Sequence, residues 1–267
     1  MIVHSLGYKT DLIINRFAGI ISDHGSCISV HTPSNPKWHW GNYVLFERAP
    51  NEDDLAQWRT KFEETVGIPP NVEHYMFGWD TSDGYLGNVY PLIAKGFQIS
   101  TDTVLTAANV VMPVNFDHDL IIRPITEDWE WEAIFENQIA CLDQDYPAES
   151  TIRRKRLNMN MYRQMTDAGL GAWFGAIVDG RIVGDLGIFV GDGLGRFQMV
   201  GTHPQYRRRG ICSTLVYYAS RFAFERLNAR KLVLVADPTY HAILIYESLG
   251  FSRTELQVRA SRSQLYS

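Results

Sequence analysis

Apolar and polar positions fall in short blocks along this chain, and their period switches repeatedly between two and three-to-four. The first segment with clear punctuation begins at Cys27 and runs to Asn42-Tyr43-Val44-Leu45-Phe46, a β-rich stretch that stops at Ala49-Pro50-Asn51. Glu52-Asp53-Asp54 then precede Leu55, Trp58, Phe62 and Val66. That spacing predicts an amphipathic helix with acidic residues at its positive end, closed by Gly67 and Pro69-Pro70. A strand over 74–79, a helix over 85–94 stopped by Gly96, and a strand over 103–107 follow. The first half reads strand, helix, strand, helix, strand.

The pattern restarts near His118, with a boundary expected at 112–119. A strand over 120–124 leads to a helix with Thr126 as N-cap and Trp129, Ala133, Phe135 and Ile139 within it. A second helix over 151–168 carries Arg153-Arg154-Lys155-Arg156, a run that reads as a solvated face rather than a site. Asp179-Gly180 between apolar runs at 173–178 and 182–189 predicts a hairpin. A strand over 197–202, a basic loop and a helix over 211–227 come next, then a strand at 231–236, a helix at 240–249 stopped by Gly250, and a strand at 254–259. The fold class is α/β (α+β), in two domains spanning 1–115 and 119–267.

Composition narrows the function classes. Of 267 residues, 45% are hydrophobic and 21% charged, which excludes collagen-like, low-complexity and disordered chains. A net charge of −5 gives no bulk field toward nucleic acid or anionic membranes, so any polyanion site is local. No charged segment leads into an apolar one at the N-terminus, and no run reaches the about 18 apolar residues of a membrane helix. The expectation is a cytoplasmic protein with no membrane partner. Cys27, Cys141 and Cys212 form no CxxC pair and are expected as reduced thiols; no histidine pair has metal-ligand spacing, so no metal is expected.

The informative unit lies between Thr202 and Cys212, where a strand ends, a glycine turns the chain and a helix begins. Backbone N–H groups and the positive helix end converge there, a geometry that binds phosphate. Arg207, Arg208 and Arg209 add charge, and Gly210 permits close backbone approach. The pattern is neither the dinucleotide Gly-x-Gly-x-x-Gly nor a P-loop, which disfavours NAD and ATP hydrolysis.

Pro204-Gln205-Tyr206-Arg207-Arg208-Arg209-Gly210-Ile211-Cys212 resembles the acetyl-CoA signature of the GNAT superfamily of CoA-dependent N-acetyltransferases, Arg/Gln-x-x-Gly-x-Gly/Ala after a strand, with Cys212 in place of the last small residue. Downstream, Ala242-Ile243-Leu244-Ile245-Tyr246-Glu247-Ser248-Leu249-Gly250-Phe251 is similar to the family's Ala-x-x-x-Tyr-x-x-x-Gly-Phe segment, with Thr239 where asparagine is common. The resemblance covers about 119–260. It implies acetyl-CoA as cosubstrate, with the backbone of Val200, Gly201 and Thr202 along the pantetheine arm and the amides of Arg207, Arg208, Arg209, Gly210, Ile211, Cys212 and Ser213 on the pyrophosphate. It implies Tyr246 near the sulfur, where a phenol of pKa about 10 can protonate a departing thiolate of pKa about 8.5. Asp185, Glu247, His203 and His241 are candidate bases, and relay through water is equally open.

The first half carries a weaker echo. Ala94-Lys95-Gly96-Phe97 is similar to Ser248-Leu249-Gly250-Phe251, and Phe77-Gly78-Trp79-Asp80 to Leu234-Val235-Ala236-Asp237. This implies two GNAT-like domains in tandem, each a mixed, mostly antiparallel sheet flanked by helices. The first would be a degenerate copy, because Glu52-Asp53-Asp54 would repel a pyrophosphate. Trp38-His39-Trp40 with Tyr43 either line an acceptor pocket between the halves or pack a core. The leading expectation is an N-acetyltransferase using a small-molecule or peptide amine; a non-catalytic acyl-CoA-binding or regulatory module is the alternative, and nucleic-acid binding through the arginines is poorer. Neither the acceptor's identity nor the oligomeric state is written in the sequence.

Overall fold

The computed structural model describes residues 1–116, 120–142 and 148–263. In chain order the elements are α1 (Leu6–Ala18), β1 (Ile20–Asp23), β2 (Cys27–His31), β3 (Asn42–Phe46), α2 (Asp54–Thr65), β4 (His74–Trp79), α3 (Tyr90–Ala94) and β5 (Gln98–Ala107). They continue as β6 (Ile121–Pro124), α4 (Asp128–Ala140), α5 (Glu149–Asp167), β7 (Gly171–Val178), β8 (Arg181–Gly191), β9 (Leu194–Thr202), α6 (Ile211–Arg226), β10 (Lys231–Ala236), α7 (Ala242–Ser248) and β11 (Ser252–Ser263). No helix among the described residues is long and apolar enough to cross a membrane.

The chain divides into two compact units. The first comprises Met1–Val104, Val235–Pro238 and the described part of Arg253–Ser267; the second comprises Leu105–Leu234 and Thr239–Ser252. The division falls inside β5, ahead of the 112–119 read from the sequence, whose residues 117–119 lie outside the described ones. Nearly all of β11 groups with the first unit.

In the first unit β1, β2 and β3 are antiparallel, β3 and β4 parallel, and β11 pairs antiparallel with β4, Arg259 opposite Gly78. Alternation along the strands feeds two cores. Val44, Phe46, Phe77 and Trp79 pack with Trp58 and Phe62 of α2, while Tyr43, Leu45 and Met76 pack with Tyr8 and Leu12 of α1. With both faces buried, β3 reads as a continuous apolar run after Asn42. The Tyr8 hydroxyl donates to the Val258 carbonyl, and a Cβ at Gly78 would lie 2.2 Å from that hydroxyl, so glycine is required where the ring crosses β4. Two local expectations are corrected. The helix read over 85–94 is confined to Tyr90–Ala94, because Gly84 and Gly87 take φ of 78° and 66° and Trp79 Nε1 donates to the Tyr85 carbonyl, holding that stretch as a loop.

The second unit is an antiparallel run β6-β7-β8-β9 with β10 parallel to β9. Asp179-Gly180 and Asp192-Gly193 turn its two hairpins with positive φ at both positions, as I′ turns demand. A Cβ on Gly184 would touch Ile211 of α6, whereas Asp185 meets Asn137 and Gln138 of α4, so the two helices cover opposite faces of β8. The second correction is the cap of α4. Glu127 is the N-cap, not Thr126, because the Glu130 carboxylate accepts the N–H groups of both Thr126 and Glu127 while pairing with Arg123. The fold is thus mixed α/β, and in each unit the strands are mostly antiparallel and flanked by helices.

Candidate functional site

β9 is interrupted where it matters. Asp185 faces Gly201 and Gly187 faces Gln198, so one residue is inserted in β9, and Met199 absorbs it at φ 53°. Beyond Thr202 the chain passes a 3-10 turn at Pro204–Tyr206 and two left-handed residues, Arg208 at φ 63° and Gly210 at φ 79°, before entering α6. The first intrahelical bond runs from Thr214 N–H to Gly210 O at 3.0 Å, which leaves the N–H groups of Ile211, Cys212 and Ser213 at the open end of the helix dipole. A Cβ on Gly210 would lie 2.6 Å from the Asn115 carbonyl oxygen.

These parts open into one cleft of about 520 Å³. Val200, Gly201 and Thr202 line it from the strand, Arg207, Arg208 and Gly210 from the loop, Ile211, Cys212 and Ser213 from the helix, and Tyr246 and His241 from the segment around α7. Arg209 does not line it: its guanidinium reaches toward Gln205 O at 3.5 Å and sits 5.0 Å from the Tyr206 ring. Arg207 Nε donates to Thr202 O at 3.2 Å, which ties the loop back to the strand end. Of the four side chains considered as bases, only His241 lines this cleft. His203 borders a separate groove with Trp129 and Arg181, Glu247 is not among the cleft's lining residues, and Asp185 is fully buried.

Burial sets the protonation of the cleft. Tyr246 is 5% exposed, and desolvation holds its phenol well above the usual value, so it stays protonated at neutral pH. Desolvation likewise pushes Cys212 up to about 12 and Cys141 up to about 11, the latter with help from the Asp185 charge. Asp185 itself is raised to about 7 by burial, opposed by hydrogen bonds from Asn137, Gln138 and Trp173. Lys155 is lowered by its own burial and faces Asp185 and Cys141, so one member of the basic run on α5 turns inward; Arg156 pairs with Glu132.

Other candidates resolve as structure within the first unit. Trp38 and Tyr43 are buried core, half-buried Trp40 sits 6.4 Å from Tyr8 and 6.3 Å from Tyr43, and the exposed His39 stacks on buried His74 at 3.9 Å, so the cluster packs within this unit. In the acidic run, Asp54 accepts the Asn51 N–H and both Arg48 terminal nitrogens, fixing the start of α2. Sequence reading missed Gln138 and Cys141. Their signal is polar residues on the otherwise apolar face of α4 that holds Ile134 and Phe135.

Residues 131–251 match the model of the Acetyltransferase (GNAT) family. No curated protein matches the sequence. Among solved structures, a functionally unknown conserved protein from Staphylococcus epidermidis superposes with a TM-score of 0.69 at 16% identity, over 92% of this chain and 95% of that one. A GCN5-related N-acetyltransferase from Kribbella flavida gives 0.67 at 16%, over 96% and 95%. A tandem GNAT protein from the clavulanic acid biosynthesis pathway gives 0.51 at 15%, over 84% and 78%. Residues 131–251 thus carry a domain of the GNAT acetyltransferase family, and the chain shares its fold with these structures.

Proposed function

We propose that the protein is an N-acetyltransferase that moves the acetyl group of acetyl-CoA to a primary amine by direct attack in a ternary complex. The observation that carries this is one cleft onto which a bulged strand, a left-handed loop and the N-terminus of a 16-residue helix all open. The residues suit the donor. Gly210 turns the loop at positive φ against the Asn115 carbonyl, and α6 offers the amides of Ile211, Cys212 and Ser213 to a pyrophosphate, with Arg207 and Arg208 beside them. Val200 and Thr202 present backbone to the pantetheine arm and the thioester carbonyl.

Acetyl-CoA, when bound, supplies an activated acyl thioester. As the amine nitrogen bonds to the carbonyl carbon and the C–S bond breaks, protonated Tyr246 donates to the leaving sulfur. His241 is our choice for the group that takes the amine proton, because it alone of the four candidates lines the cleft. We read the first unit as a degenerate GNAT-like domain in tandem: where a CoA loop would stand it carries the Arg48–Asp54 pair at the start of α2. The acidic net charge favours a small-molecule or peptide amine in the cytoplasm over nucleic acid or a membrane. Calorimetric titration with acetyl-CoA of wild type and Gly210→Asp tests the donor site, and CoA release across an amine panel tests turnover. Binding without release, unchanged in Tyr246→Phe, would leave a non-catalytic acyl-CoA-binding module.

A further inference from the structure

We infer that Asp185, acting through Gln138, is a positioning residue that fixes the bulge of β9 and so sets the backbone of Val200–Thr202 against the cleft. The inference rests on the donor-site reading above. A methionine held at positive φ is strained by about 1 kcal/mol or more, so the surroundings must impose it. What imposes it is a single amide. Gln138 Nε2 donates to the Met199 carbonyl at 2.6 Å and to Asp185 Oδ1 at 2.8 Å, which spends both of its hydrogens.

The carboxylate decides which way that amide faces. As an acceptor it also takes Trp173 Nε1 on Oδ1 at 3.1 Å and Asn137 Nδ2 on Oδ2 at 2.6 Å, so three donors converge on it from α4 and β7. Asn137 is 3% exposed and its Oδ1 is left without a partner, which shows how strongly the carboxylate orients its neighbours. Gly201 lies opposite Asp185 in the β8–β9 register, and a Cβ there would be 2.9 Å from Gln138 Nε2 and 3.3 Å from Cys141 Sγ. The strand is therefore glycine where the amide presses against it. Asp185 does not line the cleft, and its influence on the donor strand runs through Gln138.

The test measures acetyl-CoA affinity by calorimetry and, separately, amide hydrogen exchange of the ligand-free protein, in Asp185→Asn, Gln138→Leu and the double variant. Each single variant is expected to weaken acetyl-CoA binding about tenfold, the scale of one lost hydrogen bond to a charged group. Each should speed exchange at 200–202 at least about tenfold while β7 keeps its wild-type protection. The double variant should be no worse than the more affected single one, because both changes cut the same link. Wild-type exchange at 200–202 in Gln138→Leu overturns the inference, as do additive losses or faster exchange throughout the sheet. If Asp185→Asn fails to fold, Gln138→Leu decides alone. A wild-type protein that ignores acetyl-CoA, with exchange at 200–202 still released in the variants, would sink the donor reading and leave the positioning role standing.

Discussion

Gly210→Ala puts the phosphate-loop argument at its greatest risk. The residue stands at φ 79°, and the new Cβ would sit 2.6 Å from the Asn115 carbonyl oxygen, a backbone atom that cannot swing aside. The left-handed conformation costs alanine about 1–2 kcal/mol. Relieving the contact requires the loop to move by several tenths of an ångström, at a further cost of about 1 kcal/mol or more. A stiffer unfolded chain returns up to about 1 kcal/mol, leaving a net loss of about 1–3 kcal/mol. At about 2–4 °C per kcal/mol for a chain of this size, calorimetry should find the melting temperature lowered by about 2–12 °C. Titration should find acetyl-CoA binding weakened about tenfold or more, since the displaced loop carries the amides. Arg208→Gly is the counterpart: Arg208 is also left-handed, so glycine relieves strain, and affinity should fall with the lost charge while stability changes by less than about 1 kcal/mol. A Gly210→Ala protein that melts and binds like wild type would refute the reasoning.

Tyr246→Phe should lower kcat by about tenfold to a hundredfold and leave the acetyl-CoA Kd within about twofold, checked by steady-state release of CoA beside calorimetry; an unchanged kcat would remove Tyr246 from the proton transfer. His74 is depressed to about 3 by burial and by the nearby His39, so between about pH 3 and 6.5 the folded state binds fewer protons than the unfolded one. Its contribution is intact above pH 6.5 and lost as the pH falls, about 2 kcal/mol by pH 5. Denaturant melts of wild type and His74→Gln, which keeps a donor for the Asn42 carbonyl, should therefore converge on acidification, and parallel pH profiles would contradict the assignment. Cys141 and Cys212 line the cleft yet stay protonated at pH 8, so mass spectrometry should find both unmodified by iodoacetamide on the timescale that alkylates an unfolded control.

The loop before α6 was legible because everything that shapes it lies within a dozen residues: the strand end, the arginines, Gly210 and the first turn of α6. The hairpin at Asp179-Gly180 was legible for the same reason. α1 was not, since Ser5 makes no side-chain cap and its start is held instead by Asp80, which accepts the N–H groups of His4 and Ser5, and by Glu255, which accepts that of Leu6. The Asp185–Gln138–Met199 link was equally hidden, because its members come from three elements and each alone reads as an ordinary polar residue. The GNAT-family domain over 131–251 could be read from two motifs; the grouping of β11 with the first unit could not, as it depends on pairing with β4 and on Tyr8 and Asp11 reaching Val258 and Gln257.

That pairing has a consequence for how the protein is made. β4 and its partner β11 are about 180 residues apart, and everything in the second unit is synthesised between them. At about 5–20 residues per second, β4 waits roughly 10–40 s on the ribosome with its hydrogen-bonding edge and the Tyr8 hydroxyl lacking their native partners. The second unit, whose strands β6 to β10 pair with near neighbours, can order during that interval. The chain segment translated first is thus among the last to be finished, and a nascent chain stalled before Ser252 exposes an unpaired strand to chaperones or to its own kind.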